Sequence, residues 1–384
     1  MWRHIASNAL TFFVVSLFIL GGVILWGIRA HEAPGPGSQA FCLQVDRGST
    51  MNRVATELAD RGAIRSEALF SIGADYADLA NALKAGSFLI PAAASEEEIL
   101  TIITDGGAST CGTEVNYRIG VTRTTVVVRE IEPETGEFIE VTQFDPAETA
   151  APASYGAAKE DTDTRFRITV AEGVTSWQIA TALRDIDTLS GALEEVPGEG
   201  LLAPDSYSIR PGDTRSDLTQ RMLAAQETRL ATAWAARAGD LPIETPEEAL
   251  ILASIVEKET SLAEERPTVA SVFTNRLRQR MLLQTDPTVI YGITRGQGVL
   301  GRGLRRSELR RETPWNTYVI SGLPPTPIAN PGLASIEAVL NPAETDYIFF
   351  VADGTGGHAF AVTLDEHNRN VARWRQIEAE RSDQ

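Results

Sequence analysis

Apolar and polar positions fall into distinct regimes along the chain. From Ile5 to Ile28, 24 consecutive residues carry no formal charge and are dominated by Leu, Ile, Val and Phe. As a helix rising ~1.5 Å per residue they reach ~36 Å, enough to cross a bilayer. The run exceeds the ~7–15 apolar residues of a signal peptide, and Leu25-Trp26-Gly27-Ile28-Arg29 is a poor cleavage site, so an uncleaved anchor is expected. Arg3 and the amino terminus favour a cytoplasmic tail, with Arg29 weakening that bias. Everything after a flexible tether, Glu32 to Ser38, then lies outside the cytoplasm, where Cys42 and Cys111 could pair.

A second pattern is repeated. Val45, Gly48, Val54, Ala55, Thr56 and Leu58 share their spacing with Val170, Gly173, Ile179, Ala180, Thr181 and Leu183. Each set reads as a short strand, a turn at glycine and an amphipathic helix. Gly86-Ser87-Phe88-Leu89-Ile90 likewise matches Asp205-Ser206-Tyr207-Ser208-Ile209, and Ser95 with Glu98 forms a capping box before Ile99, Leu100, Ile102 and Ile103. A strand-helix-helix-strand unit of this size resembles LysM; two unrelated α/β pieces are the bland alternative. Between the copies, Val121–Val128 and Glu137–Val141 alternate as a β-hairpin around Glu132–Gly136, and an Ala/Pro/Asp-rich linker spans about 146–164.

The third regime is a helix starting at Thr245, a good N-cap, with Pro246 at the first position and Glu248 able to close a capping box. Ala249 to Val256 contains one polar side chain, Ser254, as in a helix buried on all sides. Glu257 follows Leu250 and Ala253 on one face, whereas Glu259 is turned by roughly 200° at ~100° per residue. Desolvation is therefore expected to act on Glu257 more than on Glu259, raising its pKa toward that of a general acid for a glycosidic oxygen. A surface Glu-Lys-Glu turn is the competing reading.

Composition narrows the chemistry. The 384 residues suit two or three domains at ~100–200 residues each. Acids outnumber bases 52 to 34, a formal charge of -18, which disfavours nucleic acid as a partner. Four histidines and the absence of HExxH, CxxC and P-loop patterns leave no entry to zinc, redox or nucleotide-triphosphate chemistry, so no metal or cofactor is expected. Leu283–Val289, Trp315–Tyr318 and Ser321–Pro325 bring amide, hydroxyl and aromatic groups suited to sugars if they converge on one cleft. From Arg276 to Arg311, nine Arg face only Asp286 and Glu308, a basic segment that could receive an anionic polymer or simply be solvated.

Together these blocks resemble a known family. Ala249–Thr260, Ser271-Val272-Phe273 with Asn275-Arg276-Leu277, Leu283–Gly292, Asn316-Thr317-Tyr318, Gly322–Pro325, Pro327–Gly332, Tyr347, Val351–Gly354, Gly357-His358 and Phe360 look like the endolytic murein transglycosylase (MltG, or YceG-like) family. The segment from about Thr113 to Asp163 is not obviously covered. The resemblance and the patterns above together give an expected α+β fold: an anchor (1–31), a linker (32–40), a LysM-like subdomain (41–110), a β-hairpin insertion and linker (111–165), a second LysM-like repeat (166–240) and a catalytic domain (241–384). It implies an enzyme of the bacterial inner membrane, single-pass and periplasmic. Its substrate would be the peptidoglycan glycan strand, cut at the MurNAc-GlcNAc β-1,4 bond to leave 1,6-anhydro ends and stop strand elongation. Peptidoglycan synthases, the penicillin-binding proteins, are the implied partners, and no cofactor is used. Carried onto this chain, the catalytic position falls on Glu257, supported by Gln284, Thr285, Asn316 and Tyr318, with Glu259 also in the cleft. A hydrolytic muramidase would need a second carboxylate, for which Asp286 or Glu259 could serve. A non-catalytic wall-binding scaffold is the alternative from another class.

Overall fold

The structure is a computed structural model that describes residues 2–46, 48–105, 111–161 and 163–382, with backbone alone for 2–10 and 382. The Arg3 side chain, on which the orientation of the anchor turned, lies outside the described residues. The fold is mixed α+β and divides into two compact units: 1–115, 127–143 and 151–165 form one, and 116–126, 144–150 and 166–384 the other.

In the first unit, α1 (Trp2–Glu32) is followed by β1 (Phe41–Val45), α2 (Met51–Asp60), α3 (Glu67–Tyr76), β2 (Gly86–Ile90) and α4 (Glu96–Thr104). The Thr11–Glu32 part of α1 is long and apolar enough to cross a membrane, and its apolar side chains are unburied. β1 and β2 pair antiparallel, Phe41 opposite Ile90 and Val45 opposite Gly86. Thr50, Ser66 and Ser95 start the three following helices, each hydroxyl accepting a backbone N–H three residues on. Leu43, Val54, Leu58, Phe70, Phe88, Ile99 and Ile103 close the core. Cys42 and Cys111 form a disulfide, with Cα atoms 5.7 Å apart. The Glu32–Ser38 tether is not free, contrary to expectation. Gly35 N donates to Ala93 O at 2.9 Å, Ala93 N to Gly37 O at 2.7 Å, and Arg65 Nη2 to Pro34 O at 2.5 Å.

The chain continues through β3 (Thr113–Ile119), β4 (Thr124–Ile131), β5 (Phe138–Phe144), α5 (Ala153–Glu160), β6 (Arg165–Val170), α6 (Ser176–Asp185) and β7 (Ser206–Ile209). The strands form one sheet in the order β5-β4-β3-β6-β7. Within the segment read as a spacer, α5 forms because alanine favours helix and Tyr155 and Ala158 find cover. The second copy of the repeated pattern keeps its strand, its left-handed glycine (Gly173, φ 77°) and its first helix. Between Asp185 and Ser206 it forms no second helix.

The remainder is α7 (Arg215–Ala235), α8 (Pro246–Glu259), α9 (Arg266–Arg278), α10 (Asp286–Thr294), α11 (Arg306–Leu309), α12 (Leu333–Leu340), β8 (Phe349–Ala352), β9 (His358–Ala361) and α13 (Leu364–Ser382). The centre is α8. Thr245 accepts from Glu248 N, and the Glu248 carboxylate turns back to Glu244 N at 2.6 Å. From Ala249 to Val256 every residue except the partly covered Ile251 is buried, packed with Phe273, Leu283, Ile336, Val339 and Leu340. Full burial of each large aliphatic side chain is worth ~1.5–3 kcal/mol, so the helix is held by its surroundings more than by its propensity. Its one hydroxyl is satisfied: Ser254 Oγ donates to Ile251 O (2.7 Å) and accepts from Ile328 N (2.9 Å).

Candidate functional site

The last turn of α8 ends in Glu257, Lys258 and Glu259, and each side chain leaves the axis in its own direction. Both carboxylates stand at a helix C-terminus, where the carbonyl ends disfavour negative charge. Their surroundings decide what happens to that charge.

Glu257 has a structural task. Its Oε2 accepts from Gly332 N (3.1 Å) and Ser335 Oγ (2.7 Å), and Arg266 Nη2 lies 3.9 Å from Oε1. Gly332 is the N-cap of α12, so the carboxylate occupies the positive end of that helix. The side chain is 6% exposed. The carboxylate is thus met by a helix N-terminus, a hydroxyl and a guanidinium. Glu172, also paired with Arg266 at 3.4 Å, is pushed up by burial and by the charge of Glu257.

Glu259 behaves in the opposite way. It is partly buried, and burial pushes its carboxyl up, reinforced by the charge of Asp286 and opposed by a hydrogen bond from Thr285 Oγ1 and by His358 and Arg276. The expectation that desolvation selects Glu257 over Glu259 is therefore corrected. A helical wheel gives the angle between two side chains but not what covers each direction. Here α12 meets one carboxylate with donors, and the start of α10 closes over the other.

The remaining predicted residues gather on the Glu259 side, in two different capacities. Gln284 is exposed and holds φ at 48°, a conformation uncommon for a residue with a Cβ. Tyr318 is partly buried, and its hydroxyl donates to Asp286 Oδ1 at 2.7 Å. Thr285 and Asn316, expected to line the cleft, are 2% and 0% exposed. Thr285 is committed to Glu259, and its backbone N–H to Thr317 Oγ1 (3.1 Å). Asn316 Nδ2 donates to the carbonyls of Glu308, Leu309 and Arg311, and its Oδ1 accepts from Tyr318 N. Both are buried and engaged within the protein, and they shape the loop that presents Tyr318 and Gln284.

Sequence reasoning missed the second ring of groups. Arg276 is buried behind Glu259 and spends its guanidinium on Ile348 O (2.6 Å) and Leu283 O (2.7 Å). Others of the nine arginines are also engaged: Arg278 donates to Asp240 O (2.6 Å), Arg302 holds Glu308 through two bonds, and Arg295 lies 3.8 Å over the Trp315 ring, covering one face of it. On the other side of the turn, Lys258 Nζ donates to Gly173 O (3.1 Å), and burial pulls its amine down. Glu199, pushed up by burial, accepts from Ser176 N (2.8 Å) and Tyr291 Oη (3.2 Å). A cavity of about 610 Å³ edged by Arg229, Arg266, Leu333 and Glu337 includes none of the predicted site residues. Only proximity in the fold assembles these groups; no local motif signals them.

What the geometry defines is a carboxylate, Glu259, whose protonated form burial favours, at the end of a buried helix, flanked by a tyrosine-aspartate pair and backed by an arginine. It sits on a mixed α+β scaffold. Such a group can give a proton and take it back without a second acid. The chain belongs to the YceG-like family, whose profile matches residues 43–373. The endolytic murein transglycosylase of Bacillus subtilis is 29% identical over 362 residues, 91% of this chain and 89% of that protein. That of Streptococcus pneumoniae is 30% identical over 335 residues, 85% of this chain and 57% of the relative's length. Among solved structures, a YceG-like protein of Listeria monocytogenes aligns with a TM-score of 0.46 and 24% identity, over 86% of this chain and 99% of that one.

Proposed function

We propose that this chain is a peptidoglycan lytic transglycosylase in which Glu259 carries the proton. The observation that supports this most is the contrast between two carboxylates on one helical turn: Glu257 is taken up by Gly332 N, Ser335 Oγ and Arg266, whereas burial favours the protonated form of Glu259. A carboxylic acid kept protonated near neutral pH is what departure of a sugar oxygen needs. The family, and relatives named endolytic murein transglycosylase, supply the substrate class.

In this reading Glu259 protonates the oxygen linking MurNAc to GlcNAc within a nascent strand, and the C1–O bond breaks. The C6 hydroxyl of the muramyl residue then attacks C1 and returns its proton to Glu259. A 1,6-anhydro end forms, no water is consumed, and the strand can no longer grow. Arg276 and the Thr285 hydroxyl steady the carboxylate while it is ionised, and Tyr318 and Gln284 are the groups free to meet sugar hydroxyls. The apolar helix α1 anchors the chain in the inner membrane with the enzyme on the periplasmic side, close to the synthases whose product it cuts. The β1-α2-α3-β2 unit is the LysM-like part.

Mass spectrometry of digested glycan strands tests this. Ends one water lighter than a reducing sugar are expected; hydrated ends throughout would mean a hydrolase and overturn the reading.

A further inference from the structure

We infer that α3 seats the first unit on the outer face of the membrane that α1 crosses, with Ile72 and Tyr76 in the lipid headgroup layer. This rests on the reading of α1 as the anchor. The join between α1 and the rest of the first unit is held at several points. Arg65 Nη1 donates to Ala30 O (2.8 Å) and Ala33 O (3.4 Å), at and just beyond the end of α1. His31 Nδ1 faces one oxygen of the buried Glu96 carboxylate at 3.3 Å, and the other oxygen accepts from Arg65 N (3.2 Å). Gly73 leaves room for the His31 ring, since a Cβ there would stand 2.4 Å from it. The direction of α1 therefore fixes how this unit meets the bilayer.

Contacts along α1 order the elements by depth. Leu69 of α3 reaches furthest back, to Gly27, where a Cβ would lie 3.8 Å from Leu69 Cδ1. The start of α4 is met later, at His31 through Glu96, and the Ala63 and Ala94 carbonyls close on Gly35. The uncharged run of α1 ends at Ile28, so α3 stands at the boundary between lipid and water. At ~100° per residue, Ile72 and Tyr76 lie about 40° apart on α3, whereas Phe70 and Ala74 point the opposite way. Both of those are fully buried in the core of the unit. The outward pair is thus aimed back along α1, and it is apolar where water would favour charge: Ile72 is 64% and Tyr76 89% exposed. Trp26, 67% exposed, stands beside Gly27 at the same boundary. Glu67 and Asp75 fall on the other flank of α3. An aliphatic side chain beside rings with a polar tip suits the headgroup layer, which takes the apolar body and leaves the hydroxyl of Tyr76 wet. Continuity with the membrane-crossing helix makes lipid, not a second protein, the occupant of this face.

The experiment uses the full-length protein in nanodiscs of phosphatidylethanolamine and phosphatidylglycerol. An environment-sensitive fluorophore is placed on one introduced cysteine at a time, Ile72→Cys, Tyr76→Cys, the exposed Asp60→Cys at the end of α2, or Leu17→Cys within α1, with the Cys42–Cys111 disulfide kept. Lipids carrying a nitroxide near the headgroup are expected to quench the label at 72 and at 76 at least twofold more than at 60. Either position stands in for the other if one labelled protein does not fold. Lipids with the nitroxide deep in the acyl chain are expected to quench position 17. Quenching at 72 and 76 no greater than at 60, with position 17 quenched, would overturn the seating of α3 and leave the anchor intact. Failure to quench position 17 would remove the anchor itself, and the seating with it.

Discussion

The structural role of Glu257 makes its removal costly, by an amount that can be worked out from its contacts. In Glu257→Ala, Gly332 N and Ser335 Oγ lose their acceptor. Both residues are buried, and each unsatisfied buried donor costs about 1–3 kcal/mol. Loss of the anion from the α12 N-terminus removes about 0.3–1 kcal/mol more. Relief of repulsion on Glu172 offsets part of this, so the change should fall at about 2–5 kcal/mol. Glu257→Gln is graded below it. The amide oxygen can take the place of Oε2 and keep both bonds, but as neutral ones of about half the strength, with an NH2 turned toward Arg266. About 1–2 kcal/mol is expected. Urea denaturation followed by circular dichroism reads both values, and turnover at a temperature where each variant is folded should stay near the parent's. A variant as stable as the parent but without activity would refute the reasoning, because the carboxylate would then be free for substrate.

Two further outcomes follow from the structure. Replacing Cys42 and Cys111 by serine opens a cross-link between residues 69 apart and should cost about 4 kcal/mol of stability in the first unit, seen as a lower denaturation midpoint that reductant no longer changes. Glu259 also predicts a pH dependence of stability: its folded carboxyl titrates above the ordinary 4.5, so the stabilisation present below that pH is lost as pH rises through the raised value. Glu172 and Glu199 act in the same sense, so the test is the difference between parent and Glu259→Gln in thermal melts, where the parent's decline with pH should be the steeper.

The legible parts of the sequence were those written in local pattern. The apolar run of α8, the caps at Ser95 and Thr245, and the paired glycines Gly48 and Gly173 each follow from spacing and residue type. The choice between Glu257 and Glu259 was not legible. It depends on Gly332, Ser335, Thr285 and His358, which stand 26 or more residues further along the chain and share no pattern with α8. Gln284 in a left-handed conformation is equally silent, because such positions usually announce themselves with glycine. Composition also misled at 146–164, where alanine and proline suggested a spacer and Tyr155 supplied the anchor for a helix. Asn316 looked like a ligand-binding amide because its type suits sugars, and only the three carbonyls around Nδ2 reveal that it is spent.

The most direct test compares two isosteric changes on the same helical turn, Glu259→Gln and Glu257→Gln, by single-turnover cleavage of glycan strands at neutral pH. The account predicts a fall of about 10²–10⁴-fold for Glu259→Gln, the size of a lost acid-base group, and a rate within a few-fold of the parent for Glu257→Gln. The reverse ranking in two folded proteins would contradict it.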